Sequence, residues 1–189
     1  MNKSRKGQGA NNEFFIPTAD GIFTARYSEK GLAGLSFPKA TQGRRRGDES
    51  LNSDNPMKPD RDSSRRLLQT KIRAWHRVTE SALKSILAGK TPKEYPPFDL
   101  SGGTEFQQAV WRELHKIPTG KTKSYGEIAR AIGEPKAVRA VGGACGANPV
   151  PVLIPCHRVL AANKKLGGFS GGLNWKRKLL AREAVTIED

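Results

Sequence analysis

The sequence predicts an α/β (α+β) chain: a small antiparallel sheet near the N-terminal end, then a helical C-terminal unit built around a helix-turn-helix. Three observations carry that prediction. Between residues 14 and 37 two runs of strand-forming residues flank the turn Ser28-Glu-Lys-Gly31, the pattern of a strand meander. From residue 104 onward, Thr104 with Gln107 and Ser124 with Glu127 form capping boxes, each opening a short apolar-periodic segment. Between the two regions Pro92, Pro96 and Pro97 crowd into residues 91–101, which reads as a linker. The expected division is a tail without regular structure at 1–11, an N-terminal α/β unit at 12–99, and a C-terminal unit at 102–187.

Taken in order, residues 1–11 are basic and polar with no apolar core, so they are neither an element nor a secretory signal. Strands follow at 21–27 and 32–37. Residues 38–66 are rich in Gly, Ser, Asn, Asp, Pro and charge and cannot support a core, which predicts a flexible insertion. Its run Arg44-Arg45-Arg46 reads first as a solvated cluster, with contact to DNA as the alternative. Over 67–88, Leu68, Ile72, Trp75, Val78, Leu83 and Ile86 recur at helical intervals, giving an amphipathic helix with room for a break. In the second half, Phe106, Val110, Trp111 and Leu114 share one helix face. Ile128, Ala131 and Ile132 mark another helix, which Gly133 ends. Pro135 suits the first turn of the next helix, through residues 137–143.

Charge narrows the function. The chain of 189 residues carries a formal net charge of +15, and residues 104–183 hold 14 Lys and Arg against 5 Asp and Glu. Such a balance suits nucleic acid or another anionic partner, a solvated basic face being the alternative. With two cysteines, Cys145 and Cys156, there is no disulfide framework, which points to a reducing, intracellular compartment. No apolar run approaches the roughly 20 residues a membrane span needs, so no membrane association is expected. The three histidines and two cysteines show no Cys-x-x-Cys or His-x-x-x-His spacing, so no metal site is expected.

The most reactive stretch is Pro155-Cys156-His157-Arg158-Val159, which ends an apolar, proline-braced segment beginning at Asn148. A cysteine attacks as its thiolate, and neighbouring cations or hydrogen-bond donors raise the thiolate fraction. In an extended strand Cys156 and His157 would point to opposite faces, so cooperation between them requires a tight turn or an intervening water. Cysteine proteases carry other local signatures. The helix over 137–143 is unusually thin: Val138, Ala140 and Gly142 are small, and only Arg139 projects far. Close packing against another helix explains this, and so does close approach to a DNA groove. Asn148, before a proline, reads as a turn former.

These motifs resemble those of the O6-alkylguanine-DNA alkyltransferases: Pro-Cys-His-Arg-Val at 155–159 with Asn148 upstream, Arg-Ala-Val-Gly at 139–142, Tyr125, and the loop 167–172. The resemblance is close over 104–183, weak over 14–37, and absent from the insertion. It implies a ribonuclease H-like N-terminal sheet, a winged helix-turn-helix-like C-terminal unit, and a monomer that binds duplex DNA containing O6-alkylguanine. It implies repair by direct reversal, in which the flipped base gives its alkyl group irreversibly to Cys156, with no cofactor. O4-alkylthymine stands as a further candidate substrate. His157 would take the thiol proton through water, and Glu183 would orient it, although from sequence alone Glu183 reads as a solvent-facing carboxylate. Asn148 would brace the turn. Tyr125 would protonate the leaving guanine at N3, and Ser170 would contact O6. Gly168 and Phe169 would wall the base, with Phe169 where many relatives carry tyrosine. The carbonyls of Cys156 and Val159 would accept from the guanine amino group. Val138, Ala140 and Gly142 would lie against the minor groove, with Arg139 in place of the flipped nucleotide. Arg158 would be structural, and Cys145 a small side chain where relatives are bulkier. Some members carry a zinc site whose ligands this chain does not supply. The implied location is the cytoplasm, or the nucleus in a eukaryote. The alternatives are a non-catalytic lesion-binding protein of the same fold and a helix-turn-helix regulator. Major-groove readers need polar side chains that the thin helix does not have.

Overall fold

A computed structural model describes residues 12–38 and 63–187. The expected tail and most of the expected insertion lie outside the described residues. The sheet forms as the alternation dictates. β1 (Glu13–Thr18) and β2 (Gly21–Ser28) pair antiparallel from Glu13↔Arg26 to Thr18↔Gly21, leaving a two-residue turn at Ala19 and Asp20. Gly21, with φ 113°, takes the backbone state that this turn requires of it. β3 (Gly31–Ser36) pairs antiparallel with β2, with a register shift at Arg26 and Tyr27. One face of the sheet buries Ile16, Phe23, Ala25, Tyr27, Leu32 and Leu35.

That face meets α1 (Ser63–Leu87), whose Ile72, Ala82, Leu83 and Ile86 are buried. Each large apolar side chain so placed contributes roughly 1.5–3 kcal/mol. α1 is one 25-residue helix without a break, and it begins four positions before the predicted 67, so residues 63–66 belong to it and not to the insertion. Those four residues, two serines and two arginines, are exposed and show no apolar periodicity, which is why the pattern did not reveal them. The proline-rich stretch that follows is pinned to the sheet: Leu32 N donates to Pro97 O at 2.8 Å and Asp99 N to Leu32 O at 2.9 Å.

α2 (Glu105–His115) and α3 (Tyr125–Ala131) both start at complete capping boxes, on Thr104 with Gln107 and on Ser124 with Glu127. α3 stops where Gly133 adopts φ 80°. α4 (Val138–Gly146) starts later than predicted: Ala137 N closes a turn onto Glu134 O at 2.9 Å, so Pro135 occupies the turn before the helix and not its first turn. It also runs past 143 to Gly146. Trp111 Nε1 donates to Ala144 O at 2.8 Å, tying α2 across to α4. β4 (Lys123–Ser124) and β5 (Val159–Leu160) form a short parallel pair, and α5 (Leu173–Arg182) closes the chain.

The sheet and the helical part share one buried apolar cluster. Leu35 N donates to Pro149 O at 2.9 Å, Phe23 meets Trp175 at a centroid distance of 5.6 Å, and Asp20 accepts from Arg182 at 2.5 and 2.9 Å.

Candidate active site

The reactive segment is held from within. Asn148 Oδ1 accepts from Val150 N at 3.0 Å, while its Nδ2 donates to Ile154 O at 2.8 Å and to Cys156 Sγ at 3.2 Å. The intervening turn places Val152 at φ 74°, a left-handed state that costs a β-branched residue on the order of 1–3 kcal/mol and that complete burial keeps in place. Residues Cys156–Arg158 then form one turn of 3-10 helix, with Arg158 N donating to Pro155 O at 3.0 Å. Cys156 looks into a cavity, while His157 and Arg158 reach the end of α5.

There Glu183, capping α5, accepts from two side chains. His157 Nε2 lies 3.0 Å from Glu183 Oε1, Arg158 Nε donates to Oε2 at 2.9 Å, and Arg158 Nη2 donates to Oε1 at 2.8 Å. Gly120 N adds a bond to Oε2 at 3.2 Å, and Arg158 Nη1 donates to Ile117 O at 2.6 Å. Burial of Glu183 opposes its charge, but the bonds from His157 and Arg158 outweigh it and bring its pKa down to about 2. Burial lowers the pKa of His157, with Glu183 pulling the other way. A neutral imidazole facing a carboxylate through Nε2 must carry its proton there. Nδ1, buried and with no protein partner, is then left with its lone pair. Glu183 is 6% exposed, so its reading as a solvent-facing carboxylate is corrected, and Arg158 pairs with that carboxylate and with a backbone carbonyl.

The Cys156 thiol is 3% exposed, and burial pushes its pKa up to about 11, against the opposing effects of Asn148 and Lys176. Asn148 and Lys176, not the adjacent imidazole and guanidinium that the sequence suggested, favour the thiolate, but desolvation is larger. At neutral pH the thiol form therefore predominates.

Lys176 is a participant that the sequence reading missed. It is fully buried, and its Nζ donates to Val159 O at 2.7 Å, to Leu166 O, and to Gly168 O at 3.3 Å. Burial lowers its pKa to about 8, with the two cysteines opposing. In sequence it hides in the run Lys176-Arg177-Lys178, which reads as a solvated basic stripe. The signal was its spacing: Lys176, Leu179, Leu180 and Glu183 fall at i, i+3, i+4 and i+7, one helix face, and all are buried.

Cys156 opens into a cavity of about 620 Å³ lined by α4 (Val138, Arg139, Gly142, Cys145), by Tyr125, and by the loop residues Gly168, Phe169 and Ser170. Eight predicted residues therefore meet around one hollow. Tyr125 Oη donates to Gly168 O at 3.4 Å, and burial, then the cysteines, push its pKa up to about 12. Gly167, at φ 62°, is required there, since a Cβ would lie 3.0 Å from Tyr125 Oη. Ala140 sits on the exposed side of α4 beside Val138 and Arg139, outside the cavity lining. Val159 is wholly buried, and its carbonyl accepts from Lys176. Cys145 and Cys156 are both free thiols. Among the described residues no cluster of metal-ligating side chains occurs, and no helix is long and apolar enough to cross a membrane.

Comparison with known proteins places this geometry in context. Residues 105–185 match the family model for the 6-O-methylguanine DNA methyltransferase DNA-binding domain. The methylated-DNA–protein-cysteine methyltransferase of Methanosarcina acetivorans is 56% identical over 110 residues, covering 57% of this chain and 68% of that protein. The Mycobacterium tuberculosis protein of the same name is 52% identical over 101 residues, covering 53% of this chain. The matched stretch spans 61% of that relative's length and 49% of the Haemophilus influenzae one's. Among solved structures, the OGT of M. tuberculosis in complex with DNA aligns with a TM-score of 0.65 at 36% identity, covering 89% of this chain and 90% of that one.

Proposed function

Because the chain belongs to the O6-alkylguanine-DNA alkyltransferase family, represented by the methylated-DNA–protein-cysteine methyltransferases, we propose that it repairs DNA by taking the alkyl group of O6-alkylguanine onto Cys156. The observation that carries this reading is the placement of Cys156. Its sulfur faces a hollow large enough for a base, with the His157–Glu183 pair behind it and Arg139 and Tyr125 at the rim.

α4 enters the minor groove with its thin outer face of Val138, Ala140 and Gly142, and Arg139 takes the space of the flipped nucleotide. The base enters the cavity against Phe169, with Ser170 toward O6 and Gly168 in the wall. His157 Nδ1 removes the Cys156 proton through a bridging water, while Glu183 holds the imidazolium that forms. Sγ attacks the alkyl carbon in line. The carbon–O6 bond breaks, its electron pair passes into the guanine ring, and Tyr125 delivers a proton at N3. The product is a thioether with no good leaving group, so each molecule reacts once. No step calls for a cofactor. The basic excess over residues 104–183 supports binding to phosphate.

The test is an intact mass after incubation with a duplex holding one O6-methylguanine, with Cys156→Ser alongside. The expected result is a gain of one methyl, about 14 Da, mapped to Cys156 and absent from the variant. Lesion binding without a mass change would establish a non-catalytic sensor instead. Sequence-selective binding indifferent to the lesion would point to a regulator. A second result is expected at Arg139: Arg139→Ala slows reaction with the duplex roughly tenfold or more yet spares reaction with free O6-benzylguanine. Equal loss on both substrates, measured as second-order rate constants, would refute its role in extrusion.

A further inference from the structure

We infer that Phe37, the residue following β3, is a positioning residue for the substrate base. It sets the ring of Phe169 and so fixes the cavity wall from the N-terminal sheet. The inference rests on the alkyl-transfer reading and extends it to a part of the chain outside the helix-turn-helix and the active-site segment.

The loop carrying Phe169 and Ser170 needs support. It contains Gly167, Gly168, Gly171 and Gly172, and it separates two hollows. On one side lies the Cys156 cavity. On the other lies a space of about 850 Å³ lined by Phe37, Pro38, Asn148, Ser170, Gly171 and Trp175, among others. A glycine-rich wall with open volume on both faces keeps its shape only through the contacts at its edges. At its start those contacts are polar, from Tyr125 and Lys176 to Gly168 O.

At Phe169 to Gly171 the support is the ring of Phe37. Phe37 and Phe169 meet edge to face, with centroids 5.8 Å apart and planes at 72°. A Cβ on Gly171 would lie 2.5 Å from Phe37 Cε2, so the loop backbone rests directly on that ring. Phe37 is itself anchored, 4.9 Å from Trp175 and 5.6 Å from the fully buried Phe23. A chain of rings therefore runs from the sheet core to the residue that walls the base, and such pairs carry energy beyond their buried area. Removing Phe37 frees Phe169 to rotate out of its place. Misplacing a reacting partner by about an ångström is enough to slow a positioned reaction markedly.

The experiment is a double-mutant cycle on the full-length chain, read as the second-order rate constant with free O6-benzylguanine and with an O6-methylguanine duplex. Phe37→Ala is expected to slow both reactions roughly tenfold and to leave affinity for undamaged duplex within about twofold, because α4 is untouched. On a Phe169→Ala background, Phe37→Ala is expected to have almost no further effect. A full additional loss on that background would show that Phe37 does not act through Phe169. Unchanged rates in Phe37→Ala would overturn the inference while leaving alkyl transfer standing. Failure of the wild-type chain to take up any alkyl group would remove both. Thermal unfolding verifies that the variants fold; if Phe37→Ala does not, Phe37→Leu takes its place in the same cycle, with a smaller loss expected and the same criterion of non-additivity.

Discussion

Glu183→Ala is expected to lose alkyl transfer and roughly 3–5 kcal/mol of stability together, because it removes one side of a buried ion pair and strands the other. Arg158 would keep its bonds to Ile117 O and Thr119 Oγ1 but face no charge, and His157 Nε2 would have no acceptor. Urea unfolding measures the first effect and the mass assay the second. A folded variant of wild-type stability would show the network to be dispensable. The carboxylate also sets a pH dependence. Its pKa is about 2 in the folded chain against an ordinary 4.5, so the folded state holds fewer protons between those values. Its stabilising contribution is therefore complete above about pH 4.5 and disappears as pH falls toward 2. Asp20, held at about 2 chiefly by Arg182, declines over a similar range, so the quantity to compare is the difference between wild type and variant.

Lys176→Met is expected to move the pH profile of alkyl transfer upward and to lower the rate at pH 7, because a thiol that loses a nearby cation ionises less readily. Lys176 is the cation that favours the ionised form of Cys156, and methionine has similar length without the charge. The same substitution leaves the carbonyls of Val159, Leu166 and Gly168 without the Lys176 donor, each worth roughly 1–3 kcal/mol if no other partner reaches it. Loss of stability with an unmoved pH profile would assign Lys176 a purely architectural role.

What the sequence made legible was what is local. Capping boxes bind residues three apart, so Thr104 and Ser124 marked the starts of α2 and α3 directly. The turn at 28–31 lay between strands whose alternation spanned only a few residues. Boundaries without local chemistry were lost: α1 begins among exposed polar residues, and Pro135 fits a turn as readily as a first helical turn. The site divides in the same way. Cys156, His157 and Arg158 are adjacent and announced themselves, whereas Glu183 was reached only through resemblance, since 25 residues separate it from Arg158. The raised thiol pKa was invisible because it comes from burial, a property of the whole fold that no neighbouring residue reports. Lys176 and Phe37 act across folded space, and their sequence surroundings suggest a solvated stripe and a strand end.

The sharing of Glu183 between His157 and Arg158 also constrains how such a chain can drift. A substitution at Glu183 or Arg158 strips charge from the buried pair and lowers the stability of the fold. Cys156 is different: its sulfur accepts a hydrogen bond from Asn148, and a serine hydroxyl can accept it as well. A substitution at position 156 therefore removes the thiol while leaving the buried pair of Glu183 and Arg158, and the packing around it, in place.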